Sequence, residues 1–165
     1  MARKTSGSID EIFALRLERS AGDLWPMLAE LYGHLPEYDT FRDSLLTVLG
    51  RAWKARPADL RHLDLKRDLE PDWFLRSDRA GYVFYIDRFA GRIPQIIDKL
   101  DYLEDLGVSY VHLMPCLMPR PGDSDGGYSV MDYRQINPAL GSMEDLQELA
   151  QALRARGMNL CVDLV

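Results

Sequence analysis

Seven consecutive residues, Asp123-Ser-Asp-Gly-Gly-Tyr-Ser129, bring carboxylates, paired glycines and an aromatic ring into one short stretch. Glycines in tandem let a backbone turn sharply or approach a ligand closely. A carboxylate accepts hydrogen bonds from sugar hydroxyls, and a tyrosine ring stacks on the apolar face of a sugar. The same residues also suit a plain Asp-Gly turn with a packed tyrosine, and from composition alone both readings stand. A calcium loop does not. Counted from Asp123, the sixth position is Tyr128 and the twelfth is Arg134, where such a loop needs Gly and Glu.

Other chemistry is scarce. The sequence has no G-x-x-x-x-G-K-[ST] and no G-x-G-x-x-G after a strand, so no phosphate cradle is indicated. It has no G-x-S-x-G nucleophile elbow, and His34, His62 and His112 are scattered. His112 lies within an apolar strand pattern, where a satisfied core imidazole is expected rather than a catalyst. Cys116 and Cys161 show no metal-type spacing and read as buried thiols in a reducing cytoplasm, with a disulfide as the alternative. No metal site and no cofactor are expected.

The 165 residues carry a net charge of −6, with 47% hydrophobic and 28% charged residues. This is a globular composition, outside the disordered and disulfide-stapled classes. The one basic cluster, Arg51, Lys54, Arg56, Arg61, Lys66 and Arg67, is interleaved with Asp59, Asp64, Asp68 and Glu70. That pattern predicts a salt-bridged surface and argues against a nucleic-acid partner. Met-Ala-Arg-Lys opens the chain without an apolar stretch behind it, and the longest apolar run is Tyr82–Ile86, so neither a signal peptide nor a membrane span is expected.

The elements that must position these residues fall into two regions. Residues 1–80 read as helices only: a Ser8/Glu11 capping box opens the first, a second runs from about Asp23 to Tyr32, and a third from Pro36 to Ala55. Phe41, Leu45, Leu46, Val48, Leu49 and Trp53 make an apolar stripe in that third helix, and a short fourth helix ends before Pro71. From Gly81 the pattern changes. Tyr82–Ile86 reads as a strand, Ile93–Leu106 as a helix, and Val108–Met114 as a second strand. A long loop spans Pro115–Gly141, Ser142 with Asp145 caps another helix, and Met158–Val165 reads as a third strand. Strands alternating with helices imply βαβ units on a parallel sheet, whose functional loops follow the strand C-termini. A complete (β/α)8 barrel needs roughly 250 residues, so a barrel reading is a reading of part of one.

Several stretches together resemble the amylosucrases, of the α-amylase family (glycoside hydrolase family 13). They are Pro71-Asp-Trp-Phe74, Gly81-Tyr-Val-Phe-Tyr-Ile-Asp-Arg-Phe-Ala-Gly91, Leu100-Asp-Tyr-Leu-Glu-Asp-Leu-Gly107 and His112-Leu-Met-Pro115. Asp125-Gly-Gly-Tyr-Ser-Val-Met-Asp-Tyr-Arg134 and Leu160-Cys-Val-Asp-Leu-Val165 continue the match, and Arg51-Ala-Trp-Lys-Ala-Arg-Pro57 extends it into the helical region. The resemblance implies an all-helical N-terminal domain over residues 1–80, then over 81–165 the first three strands and two helices of an incomplete (β/α)8 TIM barrel. It implies glucosyl transfer from sucrose to α-1,4-glucan with release of fructose, by a retaining double displacement. Sucrose and α-glucan are the partners so implied. The nucleophilic aspartate and the acid/base glutamate of that chemistry lie beyond residue 165.

By the same resemblance Asp125 hydrogen-bonds the outer hydroxyls of the glucosyl ring, and Tyr128 stacks beneath it. Asp163 opens the family's D-x-x-x-N-H region, whose histidine falls past the last residue here, and is expected to support the site. Asp87 and Arg88, after the first strand, are further supporting candidates. A sucrose hydrolase shares these motifs. A non-catalytic module that binds carbohydrate or a partner is the reading from a different class. A final parallel strand with an uncovered face and a free edge leads us to expect the front part of a longer polypeptide.

Overall fold

The computed structural model describes residues 9–123 and 125–164. The chain divides into two compact units, Met1–Pro71 and Asp72–Val165.

Three helices make the first unit: α1 (Ile9–Tyr32), α2 (Tyr38–Ala55) and α3 (Ala58–Leu69). The expected break between the first two helices does not occur. One helix of 24 residues runs through Pro26. Proline removes a single i→i−4 hydrogen bond there, and the packing of both halves of α1 along α2 keeps them on one axis. The Ser8 half of the expected capping box lies outside the described residues. Of the apolar stripe on α2, Trp53 is buried, whereas Phe41 and Val48 remain exposed. The interleaved charges do pair. Arg56 grips Asp64 with Nε at 2.6 Å and Nη2 at 2.8 Å, Arg19 meets Asp68 at 2.8 Å, and the Arg16 guanidinium stands 5.2 Å from the Trp53 ring. A planar fork on a carboxylate is the strong form of such a contact.

The second unit is built on a parallel sheet of order β1-β2-β5, where β1 is Ala80–Phe84, β2 is Val108–Leu113 and β5 is Asn159–Val162. Its register pairs Val83 with His112 and Phe84 with Leu113, then His112 with Cys161 and Leu113 with Val162. Four helices follow the strands: α4 (Ile86–Phe89), α5 (Ile93–Ile97), α6 (Leu100–Asp105) and α7 (Met143–Ala155). They cover one face of the sheet. Ile93, Ile96, Leu100, Leu103, Leu149 and Leu153 are fully buried there with Val111 and Leu113. Helices followed by parallel strands, with helices returning over one sheet face, is the arrangement of part of a (β/α)8 barrel.

Several elements differ from the sequence reading, and the third strand is confined to Asn159–Val162. The first strand ends at Phe84 instead of Ile86, because Ile86 starts one helical turn whose carbonyl accepts from both Ala90 and Gly91. An apolar run has no periodicity with which to separate a strand end from a buried turn. The expected helix over Ile93–Leu106 is two helices, with Lys99 bonding back three residues to the Ile96 carbonyl at their junction. The stretch 115–141, expected as loop, contains an antiparallel pair, β3 (Leu117–Pro119) and β4 (Val130–Ile136). Shifts of register on both sides of Met118 and the shortness of β3 hide it from pattern reading. The Ser142 cap is as expected, with Asp145 Oδ2 accepting from the Ser142 N–H at 2.8 Å and the Asp145 N–H donating to Ser142 Oγ at 3.1 Å.

The other face of the sheet is open. Val83 on it is 57% exposed, and neither β1 nor β5 has a second strand neighbour among the described residues. Burying one large apolar side chain is worth about 1.5–3 kcal/mol, so several left wet weigh against a typical stability of about 5–15 kcal/mol. The 165-residue chain on its own is therefore expected to self-associate and to bind a dye for exposed apolar surface. A monodisperse monomer with a sharp two-state calorimetric melt would overturn that expectation.

Candidate functional site

Side chains alternate across a strand, so on β2 the burial of Val111 and Leu113 against the helices turns Tyr110 and His112 to the open face. On β5 the same alternation turns Cys161 there, and Asp163, just past the strand, follows it. Since His112 pairs in register with Cys161, Asp163 is its diagonal neighbour, within reach of a long side chain. The two meet: His112 Nε2 lies 2.8 Å from Asp163 Oδ1, with side chains 29% and 22% exposed. The carboxylate must accept, so Nε2 carries the hydrogen. Asp163 Oδ2 is buried and has no hydrogen-bond partner among the described residues.

Above this pair comes the glycine-rich turn that joins β3 to β4. Gly126 and Gly127 have φ of +83° and +88°, a region that disfavours any side chain. Both positions are also tight. A Cβ on Gly127 would lie 3.1 Å from the Pro115 Cβ, and one on Gly126 would lie 3.2 Å from the Tyr85 hydroxyl. The turn thus seats itself on the C-terminal ends of β1 and β2 through backbone that only glycine permits. It carries Tyr128 there with 39% of its surface exposed.

Asp125 is held by its own turn. The Ser129 hydroxyl donates a hydrogen bond to Asp125 Oδ2, and the backbone N–H groups of Ser129 and Gly127 add to it. These donors, Ser129 foremost, hold the Asp125 carboxyl below the usual carboxylate range, so it stays ionised and able to accept from hydroxyls. The Tyr128 phenol is pushed up by partial burial, then by the negative charge of Asp163 and by Tyr85. Burial, with Asp163 second, also pushes the Cys116 thiol up to about 11, which leaves it inert as a nucleophile. Both cysteines are free thiols. Cys116 is buried as expected, but Cys161 is only half-buried, because it stands on the open face.

The structure brings Asp125, Tyr128 and Asp163 to one end of the sheet. Asp87 and Arg88 go elsewhere. They sit on α4 instead of at the end of a strand, are largely exposed, and pair with each other at 3.5 Å. The strand's alternation turns His112 to the sheet face opposite the helices, where it is half-buried and meets Asp163. Tyr85 is a further member that the sequence reading absorbed into a strand. The signal for both was parity: each is two residues from another open-face position. Among the described residues no three His, Cys, Asp or Glu side chains stand together as a metal site would require.

A sequence model described as "Alpha amylase, catalytic domain" matches residues 68–165. An α-glucosidase of Schizosaccharomyces pombe is 38% identical over 104 residues, covering 59% of this chain and 17% of its own. An oligo-1,6-glucosidase of Halalkalibacterium halodurans is 44% identical over 75 residues, covering 46% of this chain and 13% of its own. The chain therefore spans less than a fifth of the length of either relative. Among solved structures, an isomaltulose synthase of Erwinia rhapontici in complex with its natural substrate sucrose superposes with a TM-score of 0.47 and 30% identity, over 53% of this chain and 17% of that one, a likeness too slight to argue from. The catalytic-domain match takes in well over half of the sequence, including the whole sheet and the turn above it, and the chain belongs to the α-amylase family.

Proposed function

We propose that the protein carrying this chain is an amylosucrase-type transglucosidase, which moves glucosyl units from sucrose onto an α-glucan and releases fructose. The observation that carries the reading is the turn itself. An ionised Asp125 and an exposed Tyr128 ring share one turn at the C-terminal end of a parallel sheet, the end where barrels of this kind do their chemistry. The co-linear resemblance to amylosucrases over both units supports the choice of sucrose within the family.

In this reading Asp125 accepts from the outer hydroxyls of the glucosyl ring, and Tyr128 packs against its apolar face. The ring is thereby fixed for a retaining double displacement through an oxocarbenium-like transition state. The carboxylates that attack and protonate are supplied by sequence beyond residue 165. No cofactor is needed for this exchange of one glycosidic bond for another. Two free thiols suit a reducing cytoplasm, where we place the enzyme.

The whole protein, incubated with sucrose, is expected to release fructose while a glucan accumulates. Equal release of glucose and fructose would make it a sucrose hydrolase, and cleavage of α-glucosides without any fructose from sucrose would overturn the proposal. Tyr128→Ala is expected to lower kcat/KM for sucrose at least about tenfold. Because the ring is well exposed, stability should stay within about 0.5 kcal/mol, as for most surface changes. Equal losses of activity and stability would mean that the tyrosine merely packs.

Asp125 gives a pH prediction. Its folded-state pKa is depressed, so its contribution is present above the unfolded value and is lost only as pH falls through the lower, folded value. Ser129→Ala removes the largest cause of that depression. The acid limb of the kcat/KM profile should then move to higher pH, with the alkaline limb unchanged. A profile that does not move would separate Asp125 from the acid limb.

A further inference from the structure

We propose that His112 is a positioning residue of this site: from the neighbouring strand its Nε2–H fixes the Asp163 carboxylate as a stationary negative charge at the C-terminal end of the sheet. The inference rests on the glycosyl-transfer reading and adds to it a residue with an assigned task. Val111 and Leu113 on either side of His112 face the helices, and the imidazole faces the other side of the sheet, the side that a closed barrel encloses.

Register makes the contact. His112 lies opposite Cys161, and Asp163 two residues on is the diagonal partner that an imidazole can reach at 2.8 Å. The other Asp163 oxygen, Oδ2, is buried and takes no hydrogen bond from the described residues, which leaves the His112 contact at Oδ1 to orient the group. The charge also reaches the neighbouring groups, for it helps push up both the Tyr128 phenol and the Cys116 thiol. A glucosyl ring lying on Tyr128 would sit in that field. Negative charge held there stabilises the positive charge that develops at the anomeric carbon more than it stabilises neutral sugar, so it acts on turnover in preference to binding.

The experiment uses the whole protein and p-nitrophenyl α-D-glucoside, which reports on the glucosyl subsite irrespective of acceptor. His112→Leu removes the donor at similar bulk, and His112→Gln keeps an amide N–H at about the same reach. We expect His112→Leu to lower kcat about 10–100-fold, as loss of an orienting hydrogen bond does elsewhere. KM should change less than about threefold, the mark of an interaction that matters in the transition state. His112→Gln should recover most of the lost kcat, and the melting temperatures of both variants should match the parent. Unchanged kcat in His112→Leu overturns the inference, as does an equal fall in both variants or a change confined to KM. Should His112→Leu not fold, Asp163→Asn alone and combined with His112→Gln decide instead: coupled effects support the pair and additive effects overturn it. Sucrose is assayed alongside. A parent that cleaves the nitrophenyl glucoside but frees no fructose overturns the sucrose reading alone, and one that cleaves neither overturns both.

Discussion

The alternation of β2 between two neighbours is the constraint on which the second unit depends. Val111 and Leu113 are fully buried against the helices, so His112 has no choice of face, and neither has Tyr110. A slip of one residue would turn the imidazole into the helical layer and expose both apolar side chains. The core therefore specifies the register, and the register in turn sets His112 against Asp163. Stability and site geometry are here consequences of one ladder of hydrogen bonds.

Backbone conformation settles the other half of the site. Gly126 and Gly127 occupy positive φ and press against Tyr85 and Pro115, so the turn that bears Asp125 and Tyr128 is seated by close approach instead of by large side chains. Such seating needs no apolar contact that would compete with a ligand. Asp125 is held ionised by donors from its own turn, so its charge does not depend on a distant counter-ion. The site is thus assembled from a rigid strand pair below and a self-contained turn above.

The helical unit is held together by contacts of its own. Its charges pair locally, with Arg56 on Asp64 and Arg19 on Asp68, and Trp53 is the one large aromatic buried among its described residues. Of the interleaved cluster, Arg56, Asp64 and Asp68 are engaged in these pairs. Membership of the α-amylase family rests on residues 68–165, which hold the sheet and the turn.

The sequence by itself determined the succession of a helical region and a strand–helix region, the Ser142 cap, the parallel strands and the Asp125–Tyr128 turn. Each of these is written in local chemistry: a period of two or of three to four, a capping pair, a glycine doublet. It could not separate the end of β1 from the helical turn at Ile86, nor find β3 and β4, because an unbroken apolar run and a bulged three-residue strand carry no period. It began a second helix at about Asp23, where the structure runs one helix from Ile9 to Tyr32 through Pro26. Only the tertiary structure decided that His112 meets Asp163, and that Asp87 and Arg88 turn to solvent. The physical reason is that a residue's face is set by the register of its strand against its neighbours, and register is a relation between segments that lie far apart in the chain.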